Sequence, residues 1–239
     1  MCDVCGCGDP ALVPVDVHER LLSGNDRTAA HNRAHFREHG VIAINLMGSP
    51  GAGKTAMLEA TARALGATRH LAAITGDLET ERDAVRLRAA GIPAAAITTG
   101  SACHLDAEMV HHALHGNGAH HADYLFIENV GNLVCPAIYD LGQAVNVVAL
   151  SVTEGEDKPL KYPTMFRKAD LVLLTKIDLL PALPEFDRAA LEDALAHVMP
   201  APRLIAVSAR SGAGMQEWAQ WIELLRAPQL ANVAGASAP

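Results

Sequence analysis

Apolar residues in this chain fall into short, nearly unbroken runs separated by stretches with a helical repeat. The runs at 41–47, 71–75, 94–97, 124–128, 145–152, 171–175 and 203–207 read as strands buried on both faces. Between them, 54–65, 79–90, 106–114, 185–197 and 215–225 space their apolar side chains three and four residues apart, as a helix with one face in a core does. This alternation predicts an α/β fold, a mostly parallel sheet with helices on both faces. An additional helix is expected over 26–39, capped by Asp26 and ended by Gly40.

The first run leads straight into Gly48-Ser49-Pro50-Gly51-Ala52-Gly53-Lys54-Thr55, with Ala56 next in the helix. The spacing is that of a phosphate-binding loop: glycines let backbone N–H groups crowd round phosphate oxygens, Lys54 adds a point charge, and Thr55 offers a hydroxyl to Mg²⁺. Ligands of parallel sheets lie beyond the carboxyl ends of the strands, and polar residues follow the strands here as well. Asp77 and Glu128 are candidate Mg²⁺ ligands and, with Lys54, candidate catalytic residues, while the Gly131 N–H is placed to meet a γ-phosphate. Thr175-Lys176-Ile177-Asp178 resembles a guanine-reading element, in which Asp178 accepts from donors that adenine lacks, and Ser208-Ala209-Arg210 completes the base site. Thr175 stands where such elements carry Asn. No arginine finger stands out; Arg82, Arg86 and Arg88, near the Asp77 segment, are the candidates, and the sequence does not choose among them.

Half the 239 residues are hydrophobic, enough for a sizeable core. A net charge of −8 without a basic tract argues against nucleic acid or an anionic membrane as partner, and no run reaches the length of a membrane span. With no signal-peptide pattern at the start, a cytoplasmic location is expected. Residues 1–14 are expected to form a flexible tail and 15–40 a helical segment, followed by a nucleotide-binding domain over 41–226 and a disordered tail over 227–239.

Three of the five cysteines, Cys2, Cys5 and Cys7, lie in the first seven residues, and Gly6 permits the turn that brings them together. With the Met1 amine they suit Ni²⁺, Zn²⁺ or Cu⁺; a redox pair at Cys2 and Cys5 is the competing reading. Cys103, His104 and Cys135 form a second candidate set, which needs water or a second subunit to fill its coordination, against the alternative of inert buried thiols. His111 and His115 share a helix face, although a solvated or packing role suits the histidines of 111–121 better.

In their order along the chain, Cys2-x-x-Cys5-Gly6-Cys7, Gly48 to Thr55, Gly76-Asp77-Leu78-Glu79-Thr80, Cys103-His104-Leu105-Asp106-Ala107 and Glu128 to Pro136 resemble the HypB family of hydrogenase nickel incorporation GTPases. The likeness spans nearly the whole sequence. The second and later cysteine segments are shared with the urease accessory GTPases, and the N-terminal cysteines favour HypB. The resemblance implies a P-loop G domain of the SIMIBI class that hydrolyses GTP slowly and dimerises when GTP binds. It also implies nickel or zinc binding and work with a zinc-containing HypA-like partner on the hydrogenase large-subunit precursor. Carried over by position, Cys2, Cys5 and Cys7 would be a tight nickel site, with Cys103, His104 and Cys135 a weaker one at the dimer interface. Lys54 and Thr55 would serve phosphate and Mg²⁺, Asp77 the Mg²⁺ and γ-phosphate region, and Lys176 and Asp178 guanine. A non-catalytic metal buffer and an ATP-dependent kinase are the rival classes.

Overall fold

The computed structural model describes residues 15–114 and 121–226. Cys2, Cys5, Cys7, His115, His120 and the 227–239 tail lie outside them. Seven strands form one parallel sheet: β1 (Ile42–Gly48), β2 (Leu71–Asp77), β3 (Ala94–Thr98), β4 (Tyr124–Glu128), β5 (Val145–Ser151), β6 (Leu171–Thr175) and β7 (Leu204–Ala206). Their order is β3-β2-β4-β1-β5-β6-β7, so the strand that feeds the phosphate loop sits in the middle, between β4 and β5. Register pairs Leu46 of β1 with Glu128 of β4, and Gly48 with Ala149 of β5. The carboxyl ends that carry the polar residues are thereby level with one another.

Among the described residues, eight α-helices cover the sheet: α1 (Val15–Glu38), α2 (Lys54–Leu65), α3 (Arg82–Ala89), α4 (Ala107–Ala113), α5 (Lys158–Lys161), α6 (Pro163–Arg167), α7 (Arg188–Val198) and α8 (Met215–Leu224). Alternate residues of β1 explain the two layers. Ile42, Ile44 and Leu46 join a core with Met57 and Leu58 of α2 and Trp218 of α8. Val41 and Ala43 face the other way, toward Phe36 of α1 and Val110 of α4. A third cluster, built on Val148, Leu150, Val172 and Leu174, seats α6 and α7. The Trp218 indole is fully buried and its N–H donates to Thr61 Oγ1 at 2.8 Å, so the largest core side chain leaves no polar atom stranded.

Three expectations for the helices change. The first helix begins at Val15, well before Asp26, which lies inside it. The polar triplet Gly24-Asn25-Asp26 looks like a start signal, yet Asn25 serves tertiary contacts: its Nδ2 donates to the Asp140 carbonyl and its Oδ1 accepts from Ala107 N. Helix α3 starts at Arg82 rather than 79, because the Asp77 carboxylate accepts the Glu79 and Thr80 N–H groups and holds them in a turn. Helix α7 starts at Arg188, where Asp187 accepts from Ala189 and Ala190 N–H.

Candidate functional site

The turn from β1 into α2 is shaped by glycines whose backbone a side chain would strain, Gly48 and Gly53 at its two ends and Gly51 (φ +78) between them. Gly48 has φ +147, and a Cβ there would lie 2.4 Å from the Ala149 carbonyl oxygen of the neighbouring strand. Gly53 has φ +94 and turns the chain into α2, whose first backbone N–H groups have no side-chain cap. Those donors and the positive end of the helix dipole are what an anion would meet. Lys54, 7% exposed, folds back so that its Nζ donates to the Gly48 and Ser49 carbonyls, both at 3.2 Å. Burial pushes its pKa down, against the pull of Glu128, Asp83, Glu154 and Asp77.

Beside the loop lies a cavity of about 430 Å³ lined by Lys54, Thr55, Asp77, Asp83 and Glu128. Thr55 Oγ1 is 2.8 Å from Glu128 Oε1 and 2.8 Å from Asp83 Oδ1, so a hydroxyl and two carboxylates meet at one point. Glu128 is 4% exposed, and its second oxygen, Oε2, is the one buried side-chain oxygen or nitrogen among the described residues without a hydrogen-bond partner. Burial raises the Glu128 pKa to about 7, with the Thr55 hydroxyl and Lys54 pulling it back. An orphaned carboxylate oxygen beside a hydroxyl and a second acid fits a small hard cation such as Mg²⁺. Asp77 lines the same cavity, though Oδ1 is committed to its own turn through Glu79, Thr80 N–H and the Thr80 hydroxyl. Those bonds lower its pKa. Asp83 went unnoticed in the sequence because it follows Asp77 by a full turn and sits on a helix.

Of the three arginines near the Asp77 segment, Arg86 lines the cavity and pairs with Glu59 at 3.0 Å, and Arg88 donates to the Ala94 carbonyl. A second residue that sequence reasoning missed is Glu154, whose carboxylate binds the Ser49 hydroxyl and accepts from Ser151 N–H at 2.8 Å.

The base-site residues gather on the other side of the loop, around a cavity of about 310 Å³ lined by Gly53, Thr175, Lys176, Asp178, Ala209 and Arg210. Lys176 has φ +60, the only positive φ outside glycine among the described residues, and its Nζ donates to the Gly51 carbonyl at 2.6 Å. Thr175 donates to the Ala52 carbonyl at 2.6 Å, so the threonine ties β6 to the phosphate loop. Ser208 Oγ donates to Asp178 Oδ1 at 2.6 Å and fixes that carboxylate.

Beyond Glu128 the chain runs along the phosphate loop. A Cβ on Gly131 would lie 2.9 Å from Pro50 N, and Asn132 N donates to the Gly48 carbonyl at 3.2 Å. Asn132 Oδ1 then accepts from Val134 N (2.7 Å) and Cys135 N (3.1 Å), which turns the chain back toward α4. There Cys135 Sγ meets Cys103 Sγ at 2.8 Å; both cysteines are free thiols, and the His104 ring completes a set whose ligand atoms all lie within 4.8 Å of one another. His104 stacks on Tyr139 at 3.9 Å, and burial lowers its pKa against the pull of Asp106, which favours the neutral imidazole that a metal requires. Two thiols and an imidazole suit a thiophilic transition ion and leave room for a further ligand. His111 is not part of that set: it lines a neighbouring cavity together with His104, and its Nδ1 lies 3.2 Å from Asn32 Oδ1.

Residues 42–204 match the family model described as "CobW/HypB/UreG, nucleotide-binding domain". The hydrogenase maturation factor HypB of Azotobacter vinelandii is 54% identical over 90% of this chain and 70% of its own length. Among solved structures, HypB from Helicobacter pylori in complex with nickel is 40% identical, with a TM-score of 0.80 over 85% of this chain and 95% of that one. The hydrogenase maturation factor HypB of Archaeoglobus fulgidus is 39% identical, with a TM-score of 0.79 over 86% of this chain and all of that one. The chain belongs to the HypB family of hydrogenase maturation factors, within the CobW/HypB/UreG group of P-loop nucleotide-binding proteins.

Proposed function

We propose that this chain is a GTP-hydrolysing nickel metallochaperone, in which the nucleotide state sets the grip of Cys103, His104 and Cys135 on the metal. One observation carries the reading. The segment that begins at Glu128 in the phosphate cavity ends at Cys135 in the thiol cluster, and it touches the phosphate loop between them.

GTP would lay its phosphates on the loop, with Lys54 exchanging the Gly48 and Ser49 carbonyls for phosphoryl oxygens. Thr55, Glu128 and Asp83 would hold Mg²⁺, with Asp77 lining the same cavity, and the ion would supply positive charge to offset that of the phosphates. Asp178, fixed by Ser208, would accept from the guanine N1–H and amine. Catalysis would come mainly from placement and charge, and slow turnover is expected because Arg86 is engaged with Glu59.

The cargo ion, Ni²⁺ with Zn²⁺ as competitor, would take two thiolates and one imidazole from this chain, and GTP-dependent dimerisation would supply the rest. The exposed Val134 and Ile138 beside Cys135 favour such pairing. Cys2, Cys5 and Cys7 would form a tighter site feeding it. A HypA-like partner and the hydrogenase large-subunit precursor would receive the metal.

The test follows nickel content in the hydrogenase precursor and GTP consumption together. Wild type is expected to prefer GTP over ATP in competition and to load nickel, whereas Lys54→Ala should bind nickel and fail to load it. Loading by Lys54→Ala without hydrolysis would overturn the GTPase mechanism in favour of a metal buffer, and a preference for ATP would overturn the guanine assignment.

A further inference from the structure

The Cys103–His104 half of the thiol cluster has no covalent path to the phosphate cavity shorter than the whole of α4 and β4. On the Asp77 side, Thr99 joins them, its N–H donating to the Asp77 carbonyl at 2.9 Å and its hydroxyl to the Ala102 carbonyl at 2.6 Å; on the Glu128 side, one side chain spans the gap. Asn129, 1% exposed, follows Glu128 directly. Its Oδ1 accepts from Leu105 N and from Val130 N, each at 3.0 Å. Its Nδ2 donates to Asn45 Oδ1 at 3.1 Å, and Asn45 Nδ2 donates to Asn146 Oδ1 at 3.0 Å. The amide has one workable orientation, because a flip would set its NH₂ against two backbone donors. Any rotation would strand buried polar groups on β1, on the segment after β4 and on the 103–106 loop at once.

Leu105 is also held from a second side. It is fully buried, and its side chain packs so closely on Gly76 that a Cβ there would lie 2.8 Å from Leu105 Cγ. Gly76 precedes Asp77. Downstream, Ala107 N is anchored to Asn25 Oδ1 of α1 at 2.9 Å. With that side fixed, a displacement of Leu105 is passed upstream, to His104 and Cys103.

We propose that Asn129 is the positioning residue that couples the nucleotide site to the Cys103–His104 half of the metal site, as the Asn132 turn does for Cys135. The inference rests on the nucleotide-gated reading above and assigns the Glu128-side share of the Cys103–His104 gating to one side chain. A movement of Glu128 and Val130 on binding the γ-phosphate shifts the Asn129 amide, and Leu105 moves with it.

The experiment uses the full chain carrying Cys2→Ser, Cys5→Ser and Cys7→Ser, with Ni²⁺ affinity read by chelator competition. Affinity is measured with GDP and with a non-hydrolysable GTP analogue plus Mg²⁺, and the ratio of the two is the coupling factor. Allosteric couplings commonly lie at about 5- to 150-fold. Asn129→Leu keeps the volume and removes the acceptor; the coupling factor should fall at least about threefold below the wild-type value, the remainder being carried through Cys135, with Ni²⁺ affinity in the GDP state held within about threefold. An Asn129→Leu protein with the undiminished wild-type factor overturns the inference and leaves the nucleotide-gated reading standing. A wild-type factor of one overturns both. Should Asn129→Leu fail to fold, amide exchange in wild type decides. Protection at Leu105 that differs between the GDP and analogue states supports the inference, and identical protection overturns it.

Discussion

Glu128 gives a stability prediction whose sign and size follow from its surroundings. Its carboxyl is buried with one oxygen unpartnered, and burial lifts its pKa from 4.5 to about 7. Between these values the folded chain keeps a proton that the unfolded chain has lost, so stability falls as pH rises. The protection is complete below pH 4.5 and is gone once pH has passed the folded value. At about 1.4 kcal/mol per unit, the apo protein should lose roughly 3 kcal/mol from this group on going from pH 4.5 to 8. Glu128→Gln keeps the size and the partner for Thr55 but cannot ionise. Urea or thermal unfolding of both apo proteins at pH 5 and 8 should show near-equal stability at the lower pH. At pH 8 the variant should lead by roughly 3 kcal/mol, or about 6–12 °C in a chain of this length. Mg²⁺ with GDP should rescue wild type more than the variant, since a cation favours the ionised acid. A stability gap between variant and wild type that is the same at both pH values would refute the reasoning.

Other substitutions test single contacts. Asp178→Asn should cut GDP affinity about a hundredfold and erode discrimination against ADP, measured by fluorescent-nucleotide competition, because the guanine donors lose their acceptor. Thr175→Val removes the hydroxyl that holds the Ala52 carbonyl; the expected cost is about 1–2 kcal/mol in unfolding free energy and about tenfold in GDP affinity by titration. Gly131→Ala puts a Cβ 2.9 Å from Pro50 N, so binding of a GTP analogue should weaken about tenfold while GDP binding changes little.

What could be read from the sequence was what neighbouring residues decide together. Glycine spacing from Gly48 to Gly53 states a backbone shape, and unbroken apolar runs such as 171–175 state a strand buried on both faces. The closeness of Cys103 and Cys135, 32 residues apart, was legible only as a shared chemistry, since their 2.8 Å contact depends on the Asn132 turn. Asp83, Glu154 and Asn129 were hidden for the opposite reason. An acid on a helix or an amide after a strand is ordinary in sequence, and becomes informative once Thr55, Ser49 or Leu105 N–H stands beside it. The start of α1 was misread because Asp26, a residue type favoured at caps, lies inside the helix, where its neighbour Asn25 spends its side chain on Asp140 and Ala107. Helices α5 and α6 are only four and five residues long and each carries a proline in its first turn, which suits a helix start but reads as punctuation in sequence.

The proposed coupling rests on a single segment, residues 128–135, that meets the phosphate cavity at one end and at the other sets Cys135 against Cys103, two of the proposed metal ligands. Nickel-edge X-ray absorption tests it most directly, on the full chain with Cys2, Cys5 and Cys7 replaced by serine. One Ni²⁺ per chain would be compared in the GDP state and in the GTP-analogue state. The account predicts sulfur and imidazole ligands in the shell and a change in their number or distance between the two states. A shell that is identical in both, or one without sulfur, would contradict it.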